Sequence, residues 1–334
     1  MSSNTTIITS LTVVSAQLNR YLSIVILLFG VIGNILNCLV LSERTLRSNP
    51  CVLLFLASSI ASLITLISGI AVRLLSGWSM DLTDTVEWIC KFRIFILFSS
   101  RTIASWLITM ATIDRWLSSS INVHLRHMST IKNAQRGIII IICLSIIVYI
   151  QIFYCYQSNL IDSPLKCYGK TKWCRILNDF EFAFISVIIP SLLMFIFGLM
   201  TILRIRQTSL RRIQPIMITT FIQTKSKNQR SQTLRKTDHY LLAMLFMQVL
   251  LLTLFSLPQV IVTLYSNINL NINQIKSPLD ITINQFIFNL FILLTYVTNG
   301  MPFYIYTLTG GTVFRKALLK TLTEFIRKFI FSST

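Results

Sequence analysis

Hydrophobic residues in this chain collect in seven runs of about 20 residues, 21–41, 52–72, 92–113, 137–156, 180–203, 240–265 and 281–308, with polar residues gathered between them. A helix of that length crosses the roughly 30 Å hydrocarbon core of a bilayer. The pattern therefore predicts an all-α membrane protein, a bundle of seven transmembrane helices. After the last run the period changes. Between 312 and 330, Phe314, Ala317, Leu318, Leu322, Phe325 and Ile326 recur three or four apart with basic residues between them, the mark of an amphipathic helix lying on a membrane surface. The chain thus divides into an N-terminal segment (1–20), a seven-helix domain (21–308), and a C-terminal amphipathic surface helix with its tail (309–334).

Composition supports this division. With 54% hydrophobic and 12% charged residues and a mean hydropathy of +0.70, the chain carries about half the charge of an ordinary soluble domain. It cannot cover itself with polar surface, which excludes a large soluble fold. A net charge of +19 could point to nucleic acid, but the placement of the charges argues for membrane orientation instead. Region 204–238 holds Arg204, Arg206, Arg211, Arg212 and further lysines and arginines against one acid, Asp238, and the tail adds Arg315, Lys316, Lys320, Arg327 and Lys328 against Glu324. These segments are expected in the cytoplasm. The loops with Asp81, Asp84 and Glu87, and with Lys276 and Asp280, are expected outside together with the N-terminus. The 157–181 connection is mildly basic and departs from the pattern. Residues 1–20 are rich in Ser and Thr, and Arg20 stands just before the first run rather than at the start, so the first span is expected to act as its own targeting signal. Asn4-Thr5-Thr6 is an N-glycosylation acceptor triplet. Cys38, Cys51 and Cys143 fall in or beside apolar runs and read as small hydrophobes, whereas Cys90, Cys167 and Cys174 belong to the outer side, where disulfides persist.

The most informative stretch runs from Cys90 to Trp116. As a helix it places Cys90 and Arg115 about 37 Å apart, at opposite faces of the membrane, and it ends in Asp114-Arg115-Trp116. Within it, Arg101 falls about 16 Å below Cys90, inside the hydrocarbon slab, where a guanidinium is costly unless it is paired or put to use. Glu181 is the acid nearest in depth, with Asp179 and Asp280 further out. The first run carries Gly33-Asn34, and an Asn inside an apolar helix must bond to neighbouring helices. Pro190 interrupts the fifth run, Phe255-Ser256-Leu257-Pro258 the sixth, and Asn299-Gly300-Met301-Pro302 followed by Tyr306 closes the seventh.

Taken together, Cys90, Asp114-Arg115, Asn34, Pro190, Pro258 and the Asn299, Pro302, Tyr306 group resemble the rhodopsin-like (class A) G-protein-coupled receptors, over nearly the whole chain in topology and spacing. There are departures. Ser62 stands where the family has a sodium-binding Asp, Cys143 and Ser256 where it has Trp, Gly198 where it has Tyr, and Trp116 replaces a Tyr; Tyr306 also comes one residue late. The resemblance implies a plasma-membrane receptor, multi-pass, whose partners are an extracellular ligand, a heterotrimeric G protein, arrestin and membrane lipid, with no nucleic acid and no cofactor. It implies that Cys90 bonds to a cysteine of the second outer loop, Cys174 being favoured slightly over Cys167. Arg115 would pair with Asp114 at rest and be tethered by Asp238 of the sixth helix, release of the tether opening the inner cleft. Asn299, Pro302 and Tyr306 would take part in that switch, while Asn34 and Pro190 would be structural.

The ligand is expected against Leu97, Phe98 and Arg101, with Arg101 binding a carboxylate or carbonyl through paired hydrogen bonds, the alternative being a structural arginine bonded to helix carbonyls, to Glu181 or to water. Leu97 in place of an amine-binding Asp, and Thr295 near the place of a retinal-binding Lys, argue against those two ligand classes. The resemblance then points to neuropeptide-type receptors, including the invertebrate FMRFamide-receptor-like group. Competing classes find less support. A transporter or channel would call for repeated halves and charged relays. A membrane enzyme would call for a catalytic motif, yet His124, His127 and His239 all fall in inner segments, and neither HExxH nor GxSxG occurs. No metal site is expected. A receptor-shaped protein that no longer signals stays open on account of Ser62 and Ser256.

Overall fold

A computed structural model describes the backbone of residues 2–78, 85–160, 165–211, 224–269, 277–309 and 314–320, together with Thr83, Thr323 and Arg327; the side chains at 2–3, 44–45, 77, 205–211, 224–242 and 267–269 lie outside the described residues. Seven helices are long and apolar enough to cross a membrane: Asn4–Leu41, Pro50–Ser76, Glu87–Ser118, Ile131–Cys155, Lys172–Arg204, Ala243–Ser266 and Pro278–Gly300, here called spans one to seven. Such a chain is a multi-pass membrane protein built as a helix bundle. Each expected run overlaps one observed span, but the first begins at Asn4 rather than 21, the fifth at Lys172 rather than 180, and the seventh ends at Gly300 rather than 308. Ser2–Gln17 is helical and continues through a π-helical turn, Leu18–Leu22, into Ser23–Leu41, so the first helix is 38 residues long by its apolar measure and outreaches the bilayer by several turns.

The third span is the hub. In its most apolar stretch 61% of residues are buried, against 22% in the fourth and seventh spans. Among its buried residues are the small polar Ser99, Ser100, Thr102, Ser105, Thr109 and Thr112, which let helices approach closely and bond across the bundle. Ser58 Oγ of the second span donates to the Ala104 carbonyl at 3.1 Å, and the Thr65 and Ser100 hydroxyls share a bond of 2.8 Å. The Thr102, Tyr149 and Ser186 hydroxyls, one each from spans three, four and five, lie 2.6–3.0 Å apart and close a ring. The fourth span is the opposite case: Ile139, Ile140, Leu144, Ile147 and Ile150 are all exposed and form the lipid-facing stripe its apolar sequence predicts.

Glycine decides one crossing. A Cβ on Gly300 would stand 3.1 Å from the Gly30 Cα, and one on Gly30 would stand 3.2 Å from the Gly300 Cα, so spans one and seven touch backbone to backbone there. Asn34, one turn further along, seals the contact by donating through Nδ2 to the Asn299 carbonyl and to its own helix at Gly30, both at 2.8 Å. Past Gly300 the helix breaks at Met301 and restarts as Pro302–Thr309. Residues 314–320 are helical again, with Phe314 and Ala317 buried against the inner cluster that includes Val40, Phe55 and Tyr306. Most of the expected surface helix beyond 320 lies outside the described residues.

The fifth span shows how a proline is accommodated. It begins as an α-helix, Lys172–Phe180, widens to a π-helix, Glu181–Ile188, and resumes as Ile189–Arg211. In the π pattern the N–H of Ile189 bonds to Phe184, so the next carbonyl, Ile185, would require an N–H from Pro190, which has none. Trp106 of the third span supplies it, Nε1 donating to the Ile185 carbonyl at 2.9 Å.

Candidate functional site

The inner end of the third span is a closed electrostatic unit. Asp114 and Arg115 are 8% and 6% exposed. Arg115 Nη2 donates to Asp114 Oδ2 at 3.0 Å and to Asn49 Oδ1 at 2.8 Å, and Asp114 Oδ1 accepts from Ser129 Oγ at 2.6 Å. Asn49 also caps the second span, its side chain accepting from the Cys51 N–H. Charge is balanced by charge, and both partners hold further polar contacts, which is what a buried ion pair needs to persist. Sequence pattern marks neither Asn49 nor Ser129, because each comes from a segment beside a span and meets the pair only in the folded bundle. Trp116 packs edge-on against Phe197 of the fifth span at 5.2 Å, with the Arg204 guanidinium 4.6 Å over its ring. The Asp238 side chain lies outside the described residues.

Tyr306, although one residue off the expected spacing, reaches the sixth span: its hydroxyl donates to Gln248 Oε1 at 3.1 Å, and its ring packs on Phe55 at 5.1 Å and Phe314 at 6.1 Å. Asn299 is buried, its Nδ2 donating to the Thr295 carbonyl at 3.3 Å. Pro258 stands inside the Thr224–Asn269 helix, where it leaves the carbonyl one turn before it without a donor. Ser62, Ser256, Gln248 and Asn299 open onto one internal cavity of about 30 Å³, room for a water or two.

At the outer end the cysteine pairing differs from the favoured expectation. Cys90 bonds to Cys167, and Cys174 bonds to Cys155. The reason is the register of a short hairpin, β1 (Tyr156–Gln157) and β2 (Tyr168–Gly169), which pairs Tyr156 with Gly169 and Gln157 with Tyr168. That register carries Cys167 over the third span, while Lys170 bonds through its N–H to the Cys155 carbonyl at 2.9 Å and draws the start of the fifth span, with Cys174, to the end of the fourth. Cys155, hidden at the edge of an apolar run, is the partner that sequence reading missed. Asn4 is exposed on the first helix.

Beneath the hairpin is a second cavity of about 60 Å³ whose lining includes Leu97, Phe98 and Arg101, all three expected ligand residues, and also Arg73, Arg93 and Asp179. Arg73 Nη1 donates to Asn289 Oδ1 at 2.8 Å; Arg93 donates to the Ser68 carbonyl at 3.1 Å and to Thr83 Oγ1 at 2.8 Å. Burial holds the Tyr168 phenol well above its ordinary range, so the hairpin adds no phenolate to this wall. Arg101 is held differently from Arg115. Its Nη2 donates to Thr295 Oγ1 at 2.9 Å, and its guanidinium lies 5.3 Å over the Phe182 ring and 5.0 Å over the Tyr296 ring. Glu181, the acid nearest in depth, bonds instead to Gln151 Nε2. No group of three or more His, Cys, Asp or Glu able to hold a metal occurs among the described residues.

No protein-family model matches the chain, and no curated protein does.

Proposed function

We propose that this chain is a divergent receptor of the rhodopsin-like class, lying in the plasma membrane with its N-terminus outside, and that an extracellular ligand in the outer cavity drives a heterotrimeric G protein at the inner end. The observation that carries the reading is the third span: one helix has a disulfide-roofed cavity at one end and a buried Asp114–Arg115 pair at the other. The basic 204–238 connection and tail support a cytoplasmic inner face. The helical start at 314–320, with Phe314 and Ala317 turned to the bundle and Leu319 exposed, supports an amphipathic surface helix contacting lipid. Arrestin would share the inner face.

In membranes from cells expressing the chain, Asp238→Ala should raise G-protein nucleotide exchange in the absence of ligand. Arg115→Ala should abolish exchange while surface expression is preserved. Exchange that neither the chain nor the Asp238 variant raises above untransfected membranes would overturn the reading and leave a receptor-shaped protein without signalling.

A further inference from the structure

We infer that the outer cavity is a carboxylate site and that Arg101 is its movable anchor, an inference that rests on the receptor reading only for its signalling consequence. Arg101 is half-buried and, among the described residues, has no ionic partner: a neutral hydroxyl and two aromatic faces hold it, and Glu181, the acid nearest in depth, is bonded to Gln151. A lone guanidinium in a bundle core is costly. Here the cost is not offset within the described structure, which is the condition in which an incoming anion gains most. Arg73 and Arg93, each hydrogen-bonded to neutral groups, line the same cavity, with Asp179 the acid among its described lining.

The size of the cavity limits what can enter. About 60 Å³ holds a few water-sized groups, so the anion is an end group rather than a whole molecule. Carboxylate fits the planar fork of arginine through two parallel hydrogen bonds. Leu97, Phe98 and Phe288 beside it suit an apolar body. A free short-chain or aromatic acid and the C-terminal carboxylate of a peptide share this chemistry, whereas a C-terminally amidated peptide lacks it.

Arg101 also lines the inner cavity together with Ser62, Ser256 and Asn299. Arg101 and Phe182 line both spaces. A carboxylate that turns the guanidinium outward releases Thr295 on the seventh span and enlarges the inner cavity, so occupancy is transmitted by the movement of one side chain.

The test uses the full chain, purified in detergent, and reads its thermal unfolding midpoint with acetate, butyrate, octanoate, benzoate and their primary amides. A second arm uses the tripeptide Ala-Ala-Phe with a free or an amidated C-terminus. The expected result is a higher midpoint with at least one acid or with the free peptide and none with the matching amide; which arm responds identifies the source. Arg101→Gln and Arg101→Lys should each weaken that binding by about tenfold or more. Thr295→Val, which removes the competing hydroxyl, should tighten it by about threefold. No shift with any acid or free peptide, or an equal shift in wild type and Arg101→Gln, would overturn the carboxylate site. Binding that depends on Arg101 without G-protein exchange would uphold the site and sink the receptor reading instead.

Discussion

Arg101 and Arg115 are the same residue type on the same helix, about 21 Å apart along its axis; Arg115 is buried and Arg101 half-buried, and their surroundings are opposite. Arg115 has an adjacent carboxylate, an asparagine amide oxygen, and a hydroxyl holding the carboxylate in turn. Arg101 has a threonine hydroxyl and two ring faces. The difference separates two uses of a buried charge. A guanidinium whose field is cancelled within the fold is part of the frame and moves only when the frame rearranges. A guanidinium left uncancelled is poised toward whatever negative group can reach it, and in Arg101's case a cavity on the outer side is where such a group would come from.

The largest effect should come from breaking the balanced site. Arg115→Met leaves Asp114 buried without its counter-charge and should lower stability by about 3–5 kcal/mol, read as a fall in the unfolding midpoint of the purified chain. Adding Asp114→Asn should restore most of the loss, since the uncompensated charge goes with it. A single variant as stable as wild type would remove the contrast between the two arginines.

A smaller loss should follow from Asn49→Ala. That change removes both the amide oxygen on Arg115 and the cap of the second span, for which about 1.5–3 kcal/mol is expected. If Asn49→Asp proved as destabilising, the cap and the guanidinium would not be what matters, because Asp keeps both.

The two sites also differ in how far they could be read from the sequence. The spans were legible because an apolar run of bilayer length has few other uses, and Asp114-Arg115 was legible because a charged pair closing such a run stands out. Asn34 was legible too, as a lone amide that had to bond to a neighbour. What surrounds the arginines was not. Asn49 and Ser129 look like ordinary loop residues until the bundle brings them to the pair, and Phe182 and Tyr296 look like two apolar residues among many. Cys155 was hidden for the same reason: its partner is chosen by hairpin register, which depends on how the second outer loop folds over the third span. The helix over 2–17 was obscured by its Ser and Thr content, whose hydroxyls bond back one turn, as Thr9 to Thr5 and Thr12 to Ile8 do, and so do not prevent a helix.

At the unbalanced site, removing the charge should do little. Arg101→Met gives up one neutral hydrogen bond and two cation–π contacts but also the cost of burying the guanidinium, so stability should stay within about 1 kcal/mol of wild type. A loss as large as that of Arg115→Met would mean that Arg101 is a structural keystone, and the functional contrast would fall.

The smallest net change should come from making the outer site resemble the inner one. Leu97 lies one turn before Arg101 and lines the same cavity, so Leu97→Glu places a carboxylate at helical i,i+4 spacing from the guanidinium. Burying that carboxylate is costly and pairing it with Arg101 is favourable, and the two should nearly cancel, leaving the unfolding midpoint close to that of wild type. The cancellation is itself the measurement. In an Arg101→Met background the same Leu97→Glu loses its partner and should cost about 3 kcal/mol or more, and the difference between the two backgrounds is the coupling energy of the new pair. The built-in carboxylate should also abolish any rise in midpoint from added acids, since the site is already filled. If Leu97→Glu destabilises equally with and without Arg101, the guanidinium cannot turn toward Leu97, and the outward movement by which it would carry a ligand signal to the inner cavity is not available to it.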